Sequence, residues 1–99
     1  LRYQIEFAES IREHFRSLKP SQRALVLETI EKQLGDEPLV ETRNRKPLRP
    51  NPLAPWELRI GELRVFYDVV FSEVSTVQIL AVGIKRRNKL LIAGKEVSL

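Results

Sequence analysis

The chain has no cysteine and no methionine, and only one histidine and one tryptophan among its 99 residues. Without cysteine there is no disulfide, no thiolate nucleophile and no cysteine-ligated zinc. The lone histidine, His14, excludes a His-rich metal site. Glycine is scarce too, and Gly35, Gly61, Gly83 and Gly94 are too dispersed to form a phosphate-cradling loop. The longest apolar stretch, Ile79 to Ile84, covers six residues including Gly83, far short of a membrane span. The opening Leu1-Arg2-Tyr3-Gln4-Ile5-Glu6 lacks the basic-then-apolar order of a secretory signal. These shortages point to a small soluble protein of the cytoplasm, with no membrane association, no metal and no cofactor. At 42% hydrophobic residues the chain can build one core, so residues 1–99 are read as a single domain.

What is abundant is positive charge in two places. The formal net charge is +4. Residues 43 to 49 carry Arg43, Arg45, Lys46 and Arg49 with no acid, and residues 85 to 89 carry Lys85, Arg86, Arg87 and Lys89, again with none. Outside these segments nine basic residues face thirteen acidic ones. A mildly acidic body therefore carries two concentrated cationic segments. Such clusters are the usual footprint for a polyanion, nucleic acid first; solvated loops that maintain solubility carry them as well.

The chain alternates strictly from Arg2 to Phe7, with Tyr3, Ile5 and Phe7 on one side, which marks a half-buried strand. The period then lengthens. Ser10 and Glu13 have the spacing of a capping box, and Ala8, Ile11, Phe15 and Leu18 fall at helical intervals. Pro20 suits the first turn of a second helix with a stripe of Ala24, Leu27, Ile30 and Leu34, ended by Gly35 as a left-handed cap. Asp36 to Pro55 holds five of the six prolines and the first basic cluster, so it is neither helix nor central strand. Long irregular connections of this kind are commonly functional or mobile.

Trp56, Leu58 and Ile60 then alternate with Glu57 and Arg59, and Gly61-Glu62 suits a two-residue hairpin. Leu63, Val65, Tyr67, Val69 and Phe71 alternate on the next strand, Ser72-Glu73 offers a second tight turn, and Val74 to Ile84 forms a third strand. The fold class is α+β: an N-terminal strand, a two-helix hairpin, then an antiparallel three-strand meander with the helices packed on one sheet face.

In this hairpin register Ile60 pairs with Leu63, and Arg59 stands directly opposite Arg64. Like charges in that relation destabilise a sheet. Either both are solvated, or Glu57, Glu62 or Asp68 neutralises them (Glu57 and Asp68 share that face), or an anion binds between them. Arginine's planar donors suit phosphate. Other chemical signals are weaker. His14 beside Phe15 reads as a plain surface or packing residue. Trp56 and Phe66 have the faces to stack on bases, but Trp56 and Tyr67 share the core parity.

Lys46-Pro47-Leu48, the run Trp56-Glu57-Leu58-Arg59-Ile60-Gly61-Glu62-Leu63-Arg64-Val65-Phe66-Tyr67-Asp68-Val69, and Ile79 to Arg86 resemble the RelE/ParE superfamily of type II toxins, the RelE-like members above all. The resemblance runs through nearly the whole chain in order. It implies a toxin held by a cognate antitoxin, which can bring it to operator DNA. It further implies a ribosome-dependent mRNA endonuclease, in which a ribose 2′-hydroxyl attacks the scissile phosphate and basic side chains stabilise it without metal or cofactor. On the matching positions, Arg64 is the arginine that contacts the phosphate. Lys85 or Arg86 is the basic group after the last strand's glycine, and Arg59 assists. Arg43, Arg45, Lys46, Arg49, Arg86, Arg87 and Lys89 would hold RNA. The chain departs from the family pattern at Glu57, where many active members carry lysine, and near Leu91, where a tyrosine is common. Two other functions belong with the same resemblance: poisoning of DNA gyrase in the manner of ParE, and a degenerate toxin that only binds an antitoxin or nucleic acid.

Overall fold

The alternating first segment forms β1 (Gln4–Phe7), and the lengthened period forms α1 (Ile11–Arg16) and α2 (Pro20–Leu34). This architecture comes from a computed structural model, which describes residues 2–99. The other strands are β2 (Arg45–Pro47), β3 (Trp56–Ile60), β4 (Leu63–Val70), β5 (Thr76–Arg86), β6 (Lys89–Ile92) and β7 (Lys95–Val97). They make one sheet in the order β2-β3-β4-β5-β6-β7, each neighbouring pair antiparallel, with β1 added parallel to β5. The α+β class, the helical hairpin and the β3-β4-β5 meander are as expected. The sheet is larger than a meander plus one strand, because β2 rises from the proline-rich connection and β6 and β7 from the C-terminal segment.

Both helices pack on one face. Ile11, Leu18, Val26, Ile30 and Leu34 are buried against Leu58, Val65, Tyr67, Val77, Ile79 and Val82. The buried stripe of α2 is Val26-Ile30-Leu34, spaced four apart, whereas Ala24 and Leu27 face solvent. The helix ends also differ from expectation. Ser10 is already helical (φ −62°, ψ −19°), because the turn starts at Ala8, so its side chain makes no cap. At the start of α2 the Lys19 N–H donates to Gln22 Oε1 at 2.8 Å instead. Gly35 is right-handed (φ −69°) rather than a left-handed cap. The last carbonyls of α2 find partners from elsewhere: Arg45 Nη1 donates to Gln33 O at 2.6 Å and the Tyr3 N–H to Gly35 O at 2.7 Å. A cation at a helix C-terminus is also favoured by the helix dipole.

The connection from Asp36 to Pro55 is well tied. Tyr67 Oη donates to Pro38 O at 2.6 Å in the core, and Asn51 Oδ1 accepts from the N–H groups of Leu53 and Ala54. Burial pushes the Tyr67 phenol well above its ordinary pKa, so it stays a donor. Its ring stacks on Trp56 at 6.1 Å between centroids. The connection between β4 and β5 is wider than the expected Ser72-Glu73 turn, spanning residues 71–75. A bulge near Phe66 and Tyr67 shifts the β4–β5 register, so that Phe66 faces Ala81 and Tyr67 faces Ile79.

The opposite sheet face carries a second, smaller core of Ala54, Phe66, Ala81, Leu90 and Ile92. Leu90 and Ile92, on β6, are thus buried. The strand closes down because residue 83 has no side chain: a Cβ at Gly83 would lie 2.5 Å from Leu91 O and 2.9 Å from Ile92 Cγ1. One edge of β5 is shared, with β1 covering Thr76–Ile79 and β6 covering Ile84–Arg86. Between them the Val82 N–H donates to His14 Nδ1 at 3.1 Å.

Two tests follow from these contacts. Tyr67→Phe leaves the buried Pro38 carbonyl without its donor and should cost about 1–3 kcal/mol, read from the denaturant midpoint. An unchanged midpoint would show the bond to be dispensable. His14 accepts only when neutral, and burial lowers its pKa against a smaller opposing effect of Glu13. Its contribution to stability is therefore whole above the unfolded value of about 6.5 and is lost as pH falls through the lower folded value. Thermal unfolding from about pH 7 to about pH 5 should show a decline that is shallower in His14→Gln.

Candidate nucleic-acid interface

The two-residue hairpin forms as read. Gly61 takes φ +59°, Ile60 pairs with Leu63, and Arg59 stands opposite Arg64. Strand alternation puts Glu57, Arg59, Arg64, Phe66, Asp68 and Gly83 on the face away from the helices. Lys46, the partner of Glu57 on β2, and Lys85, two residues beyond Gly83 on β5, have the same parity. Lys46, Arg59, Arg64 and Lys85 therefore gather on one face, beside the small apolar core.

Glu57 is the carboxylate that meets the arginines, buried to 5% exposure. Its Oε2 accepts from Arg59 Nε at 2.7 Å. Its Oε1 lies 3.9 Å from Arg64 Nε, close enough for charge attraction and too far for a hydrogen bond. Arg64 is the more enclosed arginine, its side chain 14% exposed against 45% for Arg59. Arg64 Nη1 donates to Gly61 O at 2.6 Å and Leu63 O at 2.9 Å, which fixes the guanidinium against the turn. Arg64 Nε is buried with no hydrogen-bond partner among the described residues. Burial lowers the Arg64 pKa, Glu57 raises it and Arg59 lowers it. A guanidinium stays protonated in proteins, so the group remains a cation. Asp68, the other acid of this face, turns its Oδ1 to the Val69 N–H at 2.7 Å.

The remaining cations divide. Arg45 points to the helix side, where it donates to Gln33 O and to Val40 O. Arg86 has the parity opposite to Lys85, and its Nε lies 3.2 Å from Glu62 Oε2. Of the two candidates after Gly83, Lys85 is the one brought to the arginine face. Lys46 is paired loosely with Glu41 at 3.5 Å. Arg43, Arg49, Lys85, Arg87 and Lys89 are exposed, with no ion-pair partner among the described residues. Arg49 lines a cleft of about 380 Å³ with Leu48, Leu53, Asp68 and Leu80. Lys85 and Lys89 line another of about 270 Å³ with Leu90 and Leu99.

Sequence reading missed that the second basic cluster is a hairpin tip. Arg87 and Asn88 take φ 51° and 65°, a turn that joins β5 to β6 and projects the cations. Phe66 is fully buried, so it offers no stacking surface, and Trp56 packs on Tyr67. Leu91 pairs with Ile84 and so lies on the parity opposite to Arg64. Among the described residues no group of three or more His, Cys, Asp or Glu side chains is arranged to hold a metal ion. No described helix is long and apolar enough to cross a membrane.

No protein-family model and no curated protein sequence matches the chain. Among solved structures, a chain of the toxin–antitoxin complex RelBE2 from Mycobacterium tuberculosis is similar at 32% sequence identity and a TM-score of 0.70. The match covers 86% of this chain and 100% of that chain. With that identity over the full length of the neighbour, and with the strand, helical hairpin and cationic sheet face described above, the chain belongs to the RelE/ParE superfamily of type II toxins as a RelE-like member.

Proposed function

We propose that this RelE-like toxin is a ribosome-dependent mRNA endonuclease of the cytoplasm, neutralised by a cognate antitoxin. The observation that carries the reading is the opposed Arg59–Arg64 pair, with one buried guanidinium N–H left free to donate. A phosphodiester laid on this face accepts from the Arg59 guanidinium and lies beside the enclosed Arg64 cation, whose Nε becomes reachable only as Glu57 gives way. Negative charge that develops on its oxygens as a ribose 2′-hydroxyl attacks is then met by fixed positive charge. Donors already held in place lower the barrier without reorganising at the moment of reaction. Arg64 is the residue best prepared for this role, since the Gly61 and Leu63 carbonyls lock it. Lys85 supplies a further mobile cation.

Around this centre Lys46, Arg43 and Arg49 on one side, and Arg87 and Lys89 on the other, hold messenger or ribosomal RNA by phosphate contacts. Arg45 and Arg86 maintain the frame. Contacts of this type carry no base sequence and weaken steeply with salt. Support for the antitoxin partner is that the similar solved chain is part of a toxin–antitoxin complex.

A second reading, a toxin that retains only antitoxin and nucleic-acid binding, draws on Glu57, which already neutralises Arg59. Induced expression with mapping of mRNA 5′ ends separates the readings. The expected outcome is growth arrest with codon-phased cuts in translated messages, reduced at least about a hundredfold in Arg64→Ala. Arrest with DNA damage and intact messages would instead indicate gyrase, and no arrest would indicate the binding-only protein. Undiminished cutting by Arg64→Ala would remove Arg64 from the site.

A further inference from the structure

Glu57 is the acid lodged among Lys46, Arg59 and Arg64, and it is enclosed where a charge is expensive to keep. A carboxylate placed only to neutralise two opposed arginines would do so best by bonding to both. Glu57 bonds to Arg59 at 2.7 Å and stops 3.9 Å short of Arg64 Nε, leaving that N–H buried and unpartnered. The triad of Arg59, Glu57 and Arg64 is thus incompletely saturated. Glu57 Oε1 accepts no hydrogen bond from Arg64, and Arg64 Nε donates none.

We propose that Glu57 is a positioning residue that stands in for the phosphodiester. It holds the two guanidiniums in place while the face is empty and yields Arg59 when a phosphate enters, so that binding is an exchange of one anion for another. The proposal rests on the reading of this face as a phosphate site and states how that site is regulated. An entering phosphate meets both arginines but also the retained carboxylate, and the repulsion holds affinity down. Glu57→Gln keeps the shape and an acceptor oxygen for Arg59 while deleting the charge. Its empty form then carries two opposed arginines without a counter-charge, and its filled form loses the repulsion.

The test uses the full-length chain with two readouts. Binding of a short single-stranded oligoribonucleotide at low salt should tighten in Glu57→Gln by at least about fourfold, the effect of a unit charge at ~5 Å even in bulk water. The variant's melting temperature should fall below wild type in phosphate-free buffer, and inorganic phosphate should narrow the gap, because a ligand that binds the folded state stabilises it. If the variant is unfolded without phosphate, folding on its addition gives the same answer. RNA binding that is unchanged or weaker in the folded variant, or a deficit that phosphate does not reduce, overturns the exchange and leaves Glu57 merely structural. A variant unfolded in both buffers overturns it as well. Arg64→Ala measured alongside keeps the two levels apart. If it loses RNA binding while Glu57→Gln matches wild type, only the exchange fails. If wild type and Arg64→Ala bind alike, the phosphate site itself fails.

Discussion

The register of β3 against β4 is the constraint on which the rest of the molecule depends. Gly61 in the left-handed region makes the two-residue turn, and the turn sets Ile60 against Leu63 and every pair behind it. Because side chains alternate faces, a slip of one residue would turn Trp56, Leu58 and Ile60 to solvent and drive Glu57 and Arg59 under the helices. The same register that secures the core forces two guanidiniums into opposition. The charged face is thus a conflict created by the fold, and Glu57 is the fold's partial answer to it.

The two faces of the sheet solve different problems. One is covered by α1 and α2 and holds most of the large apolar side chains. The other is divided between a small core around Phe66 and the row of cations beside it. That small core does more than bury area. It shares its face with Arg64, whose side chain is only 14% exposed, and charges act more strongly across a medium of low polarity. Arg45 shows the converse use of a cation: drawn to the helix side, it closes the end of α2 that no local residue caps.

Much of this was legible in the residues. Strict alternation from Trp56 to Val69 announced β3 and β4, and Gly61-Glu62 their turn, so the Arg59–Arg64 opposition followed by counting. The stripe of α2 was misplaced because Ala24, Leu25, Val26 and Leu27 are consecutive and apolar, and such a run does not say which side is inward. The strands β6 and β7 were harder to read because, although Asn88 and Gly94 hold the second position of their turns, the first is filled by Arg87 and Ala93 at φ 51° and 52°, where glycine or asparagine is usual. The second core went unseen for the same reason, since Leu90 and Ile92 reach it only once β6 folds back. At the site, opposition and candidate counter-ions were readable. Which arginine Glu57 would bond, and which N–H would be left over, depend on tenths of an ångström that no pattern of residue types contains.

The shared edge of β5 has a consequence for how the protein is made. Gln4 pairs with Thr76, so β1 has no partner until the chain has been synthesised well past its middle, and β6 must still follow on the same edge. At ~5–20 residues per second the first strand waits roughly 4–15 s on the ribosome with its hydrogen bonds unmade. Pairings this distant also close slowly. The early helical hairpin needs no distant pairing, but its apolar stripe has nothing to lie on until β4 and β5 emerge. A newly made copy therefore gains its arginine face late and nearly all at once, and the partly made chain is the form most exposed to aggregation or proteolysis.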